Sequence, residues 1–326
     1  MGIRGLNNMI KKYAPESIMS TNIKKYSGSI VAIDCSILLY KFKYASKDEN
    51  SHLVGIVNRI KFYLTNGILP VFVFDGLPIE AKKKTIEKRN VNKEKLYVRL
   101  EELRSKITEL EIEEDKTEIK QEIKQEIKQE IEKVSSQIIT IKKHHVSEVK
   151  ELLTLSGIPY CTAPDDAEKF CAFLEKNGLV DYTITDDTDA MTFGCKKILK
   201  TYISKIIEIN TDIVLEKIGM DMNMFIDFCI LSGCDYTDTI NQIGPVTSFN
   251  LIKKYGNIEE VIKKIDSNVE NFDYVIARKI FTEFDYTLPE KFTIKKVEKI
   301  NLIKFMEENN FKENIIFKFL KILIFN

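Results

Sequence analysis

Apolar and polar positions along residues 1–95 alternate between strand-like and helix-like runs. The pattern predicts a helix over Leu6–Tyr13, a strand over Ser29–Asp34 and a helix over Ser36–Tyr44. It continues with a helix over Leu53–Asn66, a strand over Val71–Asp75 and a basic helix from Pro78. Residues 96–133 break the pattern: they are highly charged, free of Gly and Pro, and carry no strand signal. Residues 144–235 resume the alternation. After Gly244-Pro245 the chain reads as helices, with one short strand near Phe292–Ile294. Such alternation indicates an α/β fold with a mostly parallel central sheet flanked by helices. Four regions follow: 1–95, a charged helical insert at 96–143, 144–238, and a helical region at 239–326.

The insert holds a repeat. Glu118-Ile119-Lys120-Gln121 recurs at 122 and at 126. A period of four sets each residue over its own kind one turn later, so Ile, Lys and Glu form separate stripes. Like charges at i,i+4 cost a few tenths of a kcal/mol per pair, while helix propensity stays high throughout. The expectation is one solvated helix, marginal alone, rather than a long coiled coil, because the Ile stripe drifts.

Five hydrophobic segments run into carboxylates. Ile30–Ile33 leads to Asp34, and Val71–Phe74 to Asp75. Ala163-Pro164 opens onto Asp165, Asp166 and Glu168; Tyr182–Thr185 leads to Asp187 and Asp189; Ile230–Cys234 leads to Asp235. Ligands of open parallel sheets bind outside the carboxyl ends of the strands. If these ends converge, the carboxylates there cannot all ionise without bound cations. Carboxylate oxygens favour Mg²⁺ or Mn²⁺ over zinc, and the natural substrate of such a site is a phosphodiester. Taken singly, each position has a plainer reading: an Asp at a strand end forms turns, and acids after Pro164 suit a helix start.

Other residues sharpen this picture only in combination. Lys82 and Arg89 stand two helical turns apart and share a face that could overhang the carboxylates, or simply meet solvent. Tyr40 follows Asp34 by six residues and could stack a base or fill core. Gln242-Ile243-Gly244-Pro245 separates the helical patterns Met222–Cys234 and Val246–Tyr255. Such a turn can present backbone groups to a phosphate strand, or be an ordinary helical hairpin.

The 326 residues are 44% hydrophobic and 30% charged with a formal net charge of zero, which neither announces nor excludes a nucleic-acid partner. Six cysteines form no C-x-x-C pair and read as buried, reduced thiols of an intracellular protein; zinc with His52, His144 and His145 is the alternative. No secretory h-region opens the chain, Leu6 stands where a myristoylation signal needs Ser or Thr, and no apolar run reaches membrane-spanning length. A soluble, intracellular protein is expected.

Together these residues resemble the flap endonucleases of the XPG-type structure-specific 5′ nuclease family. The likeness covers nearly the whole chain. Its fragments are Met1–Leu6, Val31–Asp34, Val73–Gly76, Ser156–Tyr160, Ala163–Glu168, Thr185–Asp189 with Thr192–Gly194, and Leu231–Tyr236. The resemblance implies a PIN-like α/β fold with a helical arch at the charged insert, through which a 5′ single strand passes. It implies seven metal-site carboxylates, Asp34, Asp75, Asp166, Glu168, Asp187, Asp189 and Asp235, holding two Mg²⁺ ions, with Mn²⁺ as a substitute. Lys82 and Arg89 would act on the scissile phosphate, and Tyr40 would stack a base beside it. DNA contacts are implied for Gly2, Arg59, Asp166, Gly233, Asp235, Ile243 and Gly244. Gly244-Pro245 would belong to a helix-two-turn-helix gripping duplex around a K⁺ ion.

The implied activity is 5′ flap endonuclease with 5′–3′ exonuclease, acting as a monomer on DNA flaps or junctions in replication and repair. The exonuclease branch of the same family and an inactive junction-binding protein are the alternatives. Four features depart from the family. Asp166 stands where Glu is usual. The loop after Tyr40 is short and lacks an Arg. Val246-Thr247 replace a basic pair, and the arch carries the repeat. No clamp-binding peptide precedes Phe325-Asn326, so sliding-clamp recruitment is not expected.

Overall fold

Short apolar runs and amphipathic stretches sort into 21 strands and α-helices in a computed structural model, which describes residues 2–46, 48–112, 118–202, 205–265 and 269–325. The first half contains α1 (Leu6–Tyr13), β1 (Ile18–Thr21), β2 (Ile30–Asp34), α2 (Cys35–Ala45), α3 (Ser51–Thr65), β3 (Leu69–Phe74), α4 (Lys83–Ile112) and α5 (Glu118–Gln137). The middle contains α6 (Lys143–Leu155), β4 (Tyr160–Thr162), α7 (Ala167–Lys176), β5 (Tyr182–Ile184), β6 (Lys197–Thr201) and β7 (Ile206–Asn210). The remainder is helical: α8 (Thr211–Ile218), α9 (Met222–Ser232), α10 (Pro245–Tyr255), α11 (Ile258–Ile262), α12 (Tyr274–Thr282), α13 (Lys299–Glu308) and α14 (Glu313–Phe325).

One sheet has the order β1-β7-β6-β5-β2-β3-β4. β2 pairs in parallel with β3 and β5, β3 with β4, and β5 with β6; β7 is antiparallel to both β1 and β6. The expected mostly parallel α/β architecture is therefore present. Its centre is buried on both faces, which is why β2 and β3 read as continuous apolar runs. Alternate residues divide between the faces. Val31, Ile33, Phe72 and Phe74 pack towards α3, α6 and α14, while Ala32, Val71 and Val73 pack on α7. A third apolar cluster joins α1 to α8, α9 and α12.

Strand order reverses at β2. The chain steps outward from β2 through β3 to β4, then returns to lay β5 on the other side. The carboxyl ends of β2 and β5 flank that switch point, where open α/β sheets form a crevice.

Several expectations need correction. The charged insert is two antiparallel helices, not one: Leu100, Leu103 and Val134 are buried together, with Leu96, Ile127, Ile131 and Ile138 against them. A second helix gives the drifting apolar stripe something to cover it. The helix expected from Pro78 starts at Lys83, after a short 3-10 turn over Glu80–Lys82 that carries Lys82. No strand forms at Phe292–Ile294. That stretch is a strap whose neighbours Lys295 and Glu298 donate backbone N–H bonds to the carbonyls of Gly157 and Leu155. Asp235 does not end a strand: the helical pattern expected over Met222–Cys234 forms as α9, which closes at Ser232, so Asp235 reaches the site from the loop that follows.

Candidate active site

The seven carboxylates meet. Asp34, Asp75, Asp166, Glu168, Asp187, Asp189 and Asp235 line one cleft of about 300 Å³, together with Lys82, Arg89 and Tyr40. Each arrives by a local rule. Asp34 ends β2 and caps α2, its carboxylate accepting from the N–H groups of Ser36 (2.9 Å) and Ile37 (3.4 Å). Asp166 caps α7 in the same way, accepting from Glu168 N–H at 3.1 Å. The plain capping reading and the site reading thus describe the same side chains. Asp75 follows β3 and accepts from Ala167 N–H (2.9 Å) and the Ser36 hydroxyl (2.5 Å). Its loop passes so close to the one after β4 that a Cβ on Gly76 would overlap the carbonyl oxygen of Ala163. Asp187 and Asp189 follow β5, and Asp189 accepts from the N–H of Ile3.

Burial makes this crowding expensive. Burial, then Asp75 and Asp166, push the Asp34 carboxyl up to about 8. Burial and the charges of Asp187 and Asp189 hold Glu168 well above the usual carboxylate range; burial and Asp187 do the same to Asp189. Asp186 also lines the cleft, so eight carboxylates share its lining with two cations, Lys82 and Arg89. Glu168, Asp187 and Asp189 each offer an oxygen within 4.8 Å of the others. An all-oxygen donor set with excess negative charge fits hard divalent cations.

The cations are already paired. Lys82 binds Asp166, and Arg89 Nη2 lies 2.5 Å from Asp235 Oδ2. Burial depresses the Lys82 ammonium, but Asp166, Asp235 and Asp75 outweigh it and hold its pKa above the ordinary lysine value. Tyr40 is 44% exposed at the rim rather than core. Gly2 packs so tightly that a Cβ there would overlap Asp187 and Asp189.

The remaining predicted residues lie outside the cleft. Arg59, on α3, donates to the Thr201 hydroxyl at 3.2 Å and lines a neighbouring groove with Phe42, Phe62 and Tyr202. Gly233 follows α9 with φ of +115°, and its carbonyl accepts from Arg4 N–H at 3.0 Å. Gly244 caps α10 in open space, whereas the Ile243 side chain is buried, leaving its backbone for any contact.

The sequence reading missed Asn7, Ser36, Asp186 and Tyr236 in the cleft. It also missed Lys41 and Lys200: Lys41 pairs with Asp186, and Lys200 Nζ donates to the Asp186 carbonyl at 2.9 Å. Burial, then Arg59 and Lys200, lower the Lys41 pKa. The three cations come from α2, α3 and β6, and no local motif links them.

His52, His144 and His145 do gather, with His52 Nε2 2.7 Å from Glu148, yet among the described residues no histidine or cysteine joins a metal-binding group. All six cysteines are free, and burial raises their thiols, Cys161 and Cys234 to about 12. Among the described residues, no helix is long and apolar enough to cross a membrane.

Two family models match: the XPG N-terminal domain over residues 1–96 and the XPG I-region over residues 157–235. The chain is 36% identical over 329 residues to Flap endonuclease 1 of Drosophila yakuba, covering 94% of this chain and 80% of that protein. Identity to Flap endonuclease 1 of Plasmodium knowlesi (strain H) is 38% over 318 residues, covering 86% of this chain but only 50% of the relative. The chain thus spans half the length of that Plasmodium protein. Among solved structures, the catalytic core of Rad2 in complex with DNA substrate superposes with a TM-score of 0.74 at 24% identity, covering 99% of this chain and 100% of the other. Flap endonuclease-1 from Methanococcus jannaschii superposes with 0.69 at 24% identity, covering 94% and 95%. At that identity the two structures establish the shared fold.

Proposed function

We propose, from the premise that this chain belongs to the XPG family of structure-specific nucleases, that it hydrolyses DNA phosphodiesters where single strand meets duplex. The finer reading is a 5′ flap endonuclease with 5′–3′ exonuclease activity. One observation carries it: seven carboxylates, Lys82, Arg89 and an exposed Tyr40 converge on a single cleft at the sheet's switch point.

Asp34, Asp75, Asp166, Glu168, Asp187, Asp189 and Asp235 would hold two divalent cations, Mg²⁺ or Mn²⁺. When bound, these supply an ionised water at neutral pH and neutralise charge on the phosphate. The chain's own groups do the rest. Lys82 and Arg89 leave Asp166 and Asp235 and close on the scissile phosphate, where their charge counts most as the transition state forms. Tyr40 stacks the adjacent base, and Gly2 lets the amino-terminal backbone approach Asp187 and Asp189. Arg59 and the backbone of Gly233, Ile243 and Gly244 bind duplex phosphates. The start of α10 offers free N–H groups for that purpose, with K⁺ as the ion of its turn.

The test is cleavage of a labelled 5′-flap duplex with and without Mg²⁺, beside a blunt nicked duplex. A single cut at the junction, abolished by EDTA and by Asp189→Ala, is expected. A ladder of mononucleotides from both substrates would instead indicate an exonuclease. Metal-independent binding without any cut would indicate a junction-binding protein.

A further inference from the structure

Asp165 is the strand-end carboxylate that the cleft leaves out. It stands between Pro164 and Asp166, yet it does not line the cleft. Its side chain turns instead to the strap that joins α12 to α13. Tyr286 of that strap donates its hydroxyl hydrogen to Asp165 Oδ1. The same oxygen accepts the Asp166 N–H at 2.7 Å. The other oxygen, Oδ2, lies 3.9 Å from Lys169 Nζ, one turn further along the chain. Lys169 is buried, with its ammonium 5.3 Å from the centre of the Tyr286 ring and 5.6 Å from that of Phe284. Asp165 therefore has a cation of its own, and its charge needs no metal.

The backbone of Asp165 makes a second joint. Its carbonyl accepts the Gly76 N–H at 2.7 Å, and the Pro164 carbonyl accepts the Leu77 N–H at 3.1 Å. These bonds fasten the loop after β3, which carries Asp75, to the loop after β4, which carries Asp166. An aspartate has a single methylene between Cα and carboxyl, so the reach of Asp166 is set by where its backbone stands. Asp165 holds that backbone through its side chain and holds the neighbour of Asp75 through its carbonyl. Tyr286 holds Asp165 in turn. The Tyr286 ring stands edge-on to Phe170 and Phe173 of α7, its centroid 5.2 Å from each of theirs. The hydroxyl is thus aimed from the apolar face of the helix that Asp166 caps.

We infer that Tyr286 is a positioning residue for the candidate metal ligands Asp166 and Asp75, and that it acts through Asp165. The inference rests on the metal-site reading above and extends the site to the strap behind it. Groups that hydrogen-bond and orient metal ligands commonly govern affinity by about 10–100-fold. Without the Tyr286 hydroxyl, the Asp165 carboxylate is free to turn towards Lys169, and the Asp166 N–H loses its acceptor. Metal affinity falls, while the ring keeps its packing on α7.

The experiment titrates the full chain, stripped of metal and free of DNA, with Mn²⁺ in a calorimeter, and measures its melting temperature in EDTA. Tyr286→Phe keeps the ring and removes the hydroxyl. Its Mn²⁺ Kd is expected to rise about tenfold. Its metal-free melting temperature should stay within about 2 °C of the parent's, the effect of one hydrogen bond in a chain of this size. Asp165→Ala should weaken Mn²⁺ binding at least as much. Asp165→Asn, whose amide oxygen still accepts from Tyr286 and Asp166, should recover most of the affinity. A change of less than about threefold in Tyr286→Phe overturns the inference. Equal losses in Asp165→Asn and Asp165→Ala also overturn it, because Asp165 would then be a ligand itself. Affinity lost only together with a large fall in the metal-free melting temperature overturns it too, in favour of general packing. A parent chain that takes up no Mn²⁺ is the separate result that removes the metal reading beneath it.

Discussion

Lys82 and Arg89 differ from the surface lysines around them because each is held by a carboxylate of the cleft. A cation kept there by Asp166 or Asp235 is already in place when a phosphate arrives. Lys82→Ala is expected to lower kcat by ~10²–10³, the usual cost of one preorganised group at developing charge. KM should change far less, and steady-state kinetics on a flap substrate separate the two. Lys41 and Lys200 sit on the other side of the cleft, tied to Asp186 rather than to a candidate metal ligand. Their substitution to Ala should raise KM with little change in kcat. It should also reduce the salt dependence of binding by about one unit of slope for each phosphate no longer paired with a cation. A kcat effect as large as that of Lys82→Ala would place them in the chemistry instead. All seven carboxylates were legible in the sequence because each follows a short apolar run. Lys41, Lys200 and Asn7 were not, since α2, β6 and α1 meet only through the tertiary fold.

Elements were legible where burial imposed a pattern. β2 and β3 announce themselves as apolar runs because helices cover both their faces. β1 does not: Ile18–Thr21 is a half-polar edge strand whose support is its pairing with β7. The paired helices of the insert were hidden for another reason. One apolar stripe on a charged helix reads as a solvated face until a second helix folds back to cover it. That stem has its own small cluster, separate from the three that surround the sheet. Leu103, 1% exposed, is its most buried member. Leu103→Asp should therefore open the stem without unfolding the body. Faster proteolysis between residues 104 and 130 and a loss of helical circular dichroism are expected, with the main melting transition nearly unmoved. A large fall in that transition would mean that stem and body fold as one unit. The carboxy-terminal helices contrast with this. Arg278 bridges the buried Asp227 and Glu259 at 2.7–2.8 Å. Arg278→Met leaves Asp227 without its cation, and a loss of about 3 kcal/mol in denaturant unfolding is expected.

At the scale of the whole molecule, the cleft sets the protein's stability against its own site. Without metal, folding brings together carboxylates that burial and mutual repulsion disfavour as anions. Asp34 shows the sign. Its folded pKa of about 8 lies above the ordinary aspartate value of 3.8, so between those limits the folded state holds a proton that the unfolded state has released. Stability then falls as pH rises through that window, and Glu168 and Asp189 push in the same direction. His52 and His145 act oppositely, because burial lowers both; with His145 near 4, their contribution is gained on the way up to about 6.5. The carboxylates therefore dominate from about pH 6.5 to 8. In EDTA the melting temperature should drop across this interval. A divalent cation binds the ionised form of the folded site, and so stabilises by RT ln(1 + [L]/Kd), more at about pH 8 than at about pH 6.5. Fluorescence-monitored melting with EDTA or Mg²⁺ at the two pH values separates the two effects. Asp34→Asn should flatten the EDTA slope, since an amide carries no proton to lose. A melting temperature indifferent to Mg²⁺ at the higher pH would leave the eight carboxylates of the cleft without the cations that justify their meeting.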